Sequence, residues 1–77
     1  MPHVIVKLYA GRTDQQKTRL AEEITKTVMT TLKQAEESVS VGIEDIKPDD
    51  WVQTVYKPDI LNKPETIYKK PGYDPFK

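Results

Sequence analysis

Seventy-seven residues with twelve basic and twelve acidic side chains and no cysteine define a single small domain whose core is limited by its size, so self-association is the common route left to stability. Disulfides and cysteine-ligated zinc are excluded, and a lone His3 cannot build an ordinary metal site, so no metal is expected. No run of like charge exceeds a pair such as Asp49 and Asp50, which argues against nucleic acid as a partner, and the lack of a signal-peptide layout or a membrane-length apolar stretch points to a cytoplasmic protein with no membrane partner.

Residues 2–9, PHVIVKLY, are β-branched and aromatic and read as a strand, with Val4, Val6 and Leu8 on one face and His3, Ile5 and Tyr9 on the other. Both faces are partly apolar. A helix of the same chain can cover one, and a partner subunit is the expected cover for the other. Gly11 ends the strand, and Thr13 followed by Gln16 has the spacing of a capping box, so a helix opens near Asp14. Leu20, Ala21, Ile24, Val28, Leu32 and Ala35 recur at helical spacing, and the helix is expected to run to about Gln34. Residues 38–46, SVSVGIEDI, alternate strictly and form a second strand, completing a βαβ unit over residues 2–46 with parallel strands.

Beyond Lys47 the prolines at 48, 58, 64, 71 and 75 cut the chain into short pieces. Pro48 ahead of two aspartates suits the first turn of a short helix to about Tyr56, with the acids as helix-start charge, and Pro64 opens another through Lys69. Pro71 and Gly72 turn the chain towards Tyr73 and Phe76, which are expected to pack on a partner or cover a pocket. The whole, residues 1–77, reads as one α+β domain: a βαβ unit followed by short helices and a tail over residues 47–77.

Pro2 carries the most specific chemistry. A small residue at position 2 permits removal of Met1, and the exposed secondary amine would then sit at the start of a strand rather than on a loose tail. A backbone amine titrates at about 7.7 to 8.0 and proline's is more basic, but apolar surroundings and a neighbouring cation lower such a pKa and make the amine a usable base. Arg12, at the turn into the helix, has the planar fork that grips a carboxylate. His3 reads as a strand histidine at an interface, Lys7 as a lysine shielding a sheet edge, and Tyr56, Tyr68 and Tyr73 as packing or subunit contacts.

Pro2 at the head of a strand, followed by GRTDQQK at residues 11–17, resembles the 4-oxalocrotonate tautomerase family, and the likeness covers residues 2–46. SVSVGIEDIKPDDW at residues 38–51 and IYKKPGY at residues 67–73 are similar to the dimeric, PptA-like branch. The resemblance implies a two-layer β-α-β protomer with its sheet joined to a second copy's across a dimer, with a hexamer as the alternative assembly. It implies a cofactor-independent enol–keto tautomerase in which Pro2 moves a proton from an enol to carbon, Arg12 binds the substrate carboxylate and Trp51 walls the pocket. The family's second arginine falls at Ser40, which supplies no positive charge. A small 2-oxo monocarboxylate such as phenylenolpyruvate therefore suits the site better than a dicarboxylate, with Ser40 or backbone N–H groups at the keto oxygen. Two other readings differ in kind: a related hydratase or dehalogenase using protonated Pro2, and a non-catalytic module that only self-assembles.

Overall fold

Alternation in the first segment is realised directly. The computed structural model describes residues 1–77. Strand β1 spans His3–Tyr9, and its half-covered Val4, Val6 and Leu8 alternate with exposed His3, Ile5 and Tyr9. Helix α1, Asp14–Leu32, follows a turn in which Gly11 adopts φ 123°, a conformation that side-chain-bearing residues avoid. The capping box is formed at its start: the Gln16 N–H donates to Thr13 Oγ1 at 3.1 Å and the Thr13 N–H donates to Gln16 Oε1 at 2.9 Å. Ala21, Ile24 and Val28 lie on its half-covered side, as their spacing requires.

The helix stops two residues short of the expected Gln34. Lys33 takes a left-handed conformation (φ 55°, ψ 51°) that turns the chain, and the N–H groups of Lys33 and Gln34 both reach the carbonyl of Met29. A single 3-10 turn, Glu36–Ser38, then occupies the place where the second strand was expected to begin. Strand β2 starts only at Ser40 and runs Ser40–Ile46. The sheet has two strands, β1 beside β2, and the Ser40 N–H donates to the Pro2 carbonyl at 3.2 Å. Both strands thus begin side by side, which makes the pair parallel and requires α1 to run back along it.

The chain divides into two compact units, Met1–Asp45 and Ile46–Lys77. The second departs from its expected outline. Pro48–Asp50 forms one 3-10 turn, after which the chain widens into a π-helix, Val52–Leu61, that runs through Pro58 instead of ending at Tyr56. In an α-helix the ring of Pro58 would collide with the carbonyl four residues back and leave it without a donor; the wider turn moves that carbonyl away. The bond from the Asn62 N–H to the Lys57 carbonyl, 3.0 Å, shows the five-residue spacing. The helix expected over residues 64–69 is a single 3-10 turn, Pro64–Thr66.

Tyr73 and Phe76, expected against a partner or over a pocket, fold back within their own unit. Their rings pack on Tyr56 with centroid distances of 5.8 and 5.6 Å, the second edge-to-face. Val55 and Tyr56, 5% and 9% exposed, are the buried side chains of the whole chain. No helix is long and apolar enough to cross a membrane.

Candidate active site

Pro2 lies at the head of β1, partly covered, while Met1 before it is 99% exposed. Its backbone is held by the bond from Ser40, and the Ser40 side chain is held in turn: Oγ is 2.6 Å from Nδ1 of His3. Two of the residues singled out above, Pro2 and Ser40, are therefore brought together by the parallel register. His3, read as an interface residue, is the group that fixes the serine hydroxyl. Nothing local could have shown it, because the partners are 37 positions apart.

Arg12 is placed elsewhere. It is exposed in the turn after β1 and lines a cleft of about 280 Å³ with Leu8, Gln16, Lys17 and Leu20. Leu8 stands near the far end of β1, about 20 Å along the strand from Pro2 at the usual rise per residue. One copy of the chain does not bring Pro2 and Arg12 to a common pocket.

Lys17 shares the cleft with Arg12. Its Nζ donates to Asp45 Oδ2 at 2.9 Å and lies 3.6 Å from Asp14 Oδ1. The hydrogen bond to Asp45 raises the ammonium above its ordinary pKa against the opposing effect of burial, with smaller help from the charges of Asp45 and Asp14. Lys17 is thus a charged, engaged group, while Arg12 makes no ion pair with either carboxylate.

Trp51 belongs to the second unit, just before the π-helix, and its indole N–H donates to Tyr73 Oη at 2.9 Å. That bond occupies the polar atom of the ring. Beside it, Tyr56, Ile60, Leu61, Ile67 and Tyr73 line a second cleft of about 280 Å³, with Lys70 and Asp74 among its polar groups. No cluster of side chains suited to a metal ion is present.

A βαβ unit headed by a fixed proline, with an arginine at the turn after its first strand, defines a tautomerase-like protomer. The chain belongs to the tautomerase family: the family model described as "Tautomerase enzyme" matches residues 2–57. It is 44% identical over 73 residues to a probable tautomerase of Xylella fastidiosa (strain 9a5c), covering 95% of this chain and 89% of that one. It is 36% identical over 74 residues to the tautomerase PptA of Escherichia coli (strain SMS-3-5 / SECEC), with 95% and 97% covered. Among solved structures, YwhB, a homologue of 4-oxalocrotonate tautomerase, superposes with a TM-score of 0.61 at 44% identity over 62% of this chain and 79% of its own. TomN, a homologue from the tomaymycin biosynthetic pathway, gives a TM-score of 0.64 at 28% identity over 84% and 97%. The chain is accordingly a tautomerase, an isomerase of the keto–enol kind.

Proposed function

We propose that this tautomerase ketonises the enol of a 2-oxo monocarboxylate, with phenylenolpyruvate as the model substrate, and that it works without a cofactor as a cytoplasmic homodimer. The observation that carries the reading is the setting of Pro2: an exposed Met1 precedes a proline whose own carbonyl is tied to β2. Removal of that one residue leaves a secondary amine on a fixed strand end, held at a single position for proton transfer.

In the reaction the free Pro2 nitrogen takes the proton of the enol hydroxyl, the C=C electron pair moves towards C3 as the C2 carbonyl forms, and the same proton is returned to C3. The substrate carboxylate sits on Arg12, and the developing carbonyl oxygen accepts from the Ser40 hydroxyl, whose position His3 holds. Trp51 contributes an apolar wall. Because the cleft of Arg12 is walled by Leu8, about 20 Å along β1 from Pro2, the arginine of each pocket comes from another copy.

The test is the rate of phenylenolpyruvate ketonisation by protein whose intact mass shows Met1 removed, beside Pro2→Ala. We expect the substitution to lower the rate by a factor of about a hundred or more with the helical and strand signals unchanged. Equal rates for the two proteins, or a fully active species with Met1 still attached, would sink the proline mechanism. Activity that persists in a sedimenting monomer would sink the shared pocket.

A further inference from the structure

The cleft at the end of β1 holds two cations, and the ion pairing treats them differently. Arg12 and Lys17 line the same walls with Leu8, Gln16 and Leu20. Lys17, its side chain 22% exposed, is bound to Asp45 at 2.9 Å and approached by Asp14 at 3.6 Å, while Arg12 faces the cleft with neither carboxylate. Two positive and two negative charges thus meet at this end of the unit, and only one of the positive ones is open to a ligand.

We propose that the Lys17–Asp45 pair is a specificity device: by holding Lys17 off the ligand, Asp45 makes Arg12 the single anion anchor and sets the cleft for a singly charged acid. The inference rests on the assignment of Arg12 as the carboxylate anchor. It goes beyond that assignment by naming the residue that withholds a second cation already standing in the cleft. A doubly charged ligand would have to leave one charge unmatched or compete with Asp45 for Lys17, and Asp45 is attached to the neighbouring strand and so has no entropy of capture to overcome. Asp45 lies at the end of β2 and Lys17 in the first turns of α1, so the pair also fixes the lysine stem against the wall of the cleft.

The experiment is an NMR titration of the assembled protein with benzoate, one charge, and terephthalate, two charges, following the side-chain resonances of Arg12 and Lys17. Asp45→Asn is expected to raise the preference for terephthalate over benzoate by about threefold to fivefold, the upper part of what an exposed ion pair contributes. Adding Lys17→Gln to that variant should return the preference to its starting value. Glu22→Gln makes the same change of net charge about one and a half turns beyond Lys17 on α1 and should not move it. In Lys17→Gln alone the Asp45 carboxylate faces the cleft uncompensated, and the preference should fall below wild type. An unchanged preference in Asp45→Asn, or an equal rise in Glu22→Gln, overturns the device. Should Asp45→Asn fail to fold, the fall in Lys17→Gln decides the matter, and its absence overturns it. Failure of the tautomerase reading shows separately, as enol turnover indifferent to Pro2, while the binding preference is measured without turnover.

Discussion

The two units of the chain divide stability and chemistry unevenly. Met1–Asp45 contains Pro2, Arg12, Ser40 and the Lys17–Asp45 pair, yet none of its side chains is buried. Ile46–Lys77 contains the two side chains that are, Val55 and Tyr56, with Tyr73 and Phe76 closed over the latter. The contrast teaches how a small βαβ unit can host a reaction. Its outer sheet face, where Ile5 is 51% exposed, and the edges of a two-stranded sheet are surface that the homodimer proposed above would cover. In the homodimer proposed above, groups that are exposed in one chain are covered by the other and form a dry pocket.

The contrast breaks most severely if that outer face is charged. Ile5→Asp should put an unpaired carboxylate into the contact between copies, costing about 3 kcal/mol or more, so that sedimentation reports monomer and ketonisation falls more than about tenfold. An assembly of unchanged mass would mean that the first unit associates through some other surface. Truncating the second unit's centre, Tyr56→Ala, should cost about 3 kcal/mol through lost packing against Tyr73 and Phe76. Chemical denaturation with intrinsic fluorescence would read it, since Trp51 is bonded to Tyr73. If the loss is below about 1 kcal/mol, the aromatic cluster is surface dressing and the division between the units is weaker than drawn.

Smaller changes sharpen the comparison inside the first unit. Thr13→Ala removes the acceptor for the Gln16 N–H and should cost about 1 kcal/mol. Lys33→Gly should act in the opposite direction, gaining up to about 1 kcal/mol, because glycine adopts the left-handed conformation without the side-chain clash. Thermal melts at fixed protein concentration measure both. The fixed concentration matters, since an assembly that stabilises the fold makes the midpoint concentration-dependent.

Much of the first unit was legible because its signals are local. Strand alternation, the glycine before Arg12, the Thr13 and Gln16 pairing and the stripe of Ala21, Ile24 and Val28 each lie within a few residues and agree with one another. The end of α1 was not: Lys33 has no compositional mark of a left-handed residue, and the apolar spacing continues to Ala35 past the real stop. Pro58 was read as a barrier, and a π-helix removes the conflict that makes proline one. Of the candidate site, Pro2 and Arg12 stood out by residue type and position. The side-chain contacts beside them did not, since His3 meets Ser40 across 37 positions and Lys17 meets Asp45 across 28, contacts that only the closed βαβ crossover creates.

The length of β1 has a genetic consequence. If the base at one end of the strand and the anchor at the other always serve different pockets, a chain lacking Pro2 and a chain lacking Arg12 are each inactive yet carry complementary halves. Unfolded together and refolded in equal amounts, they would pair at random, half of the dimers would be mixed, and each mixed dimer would hold one wholly intact pocket and one doubly defective one. About a quarter of wild-type turnover would return, as expected for a two-fold assembly. In a cell carrying both alleles, two loss-of-function mutations would partly rescue each other, although neither protein can be repaired alone.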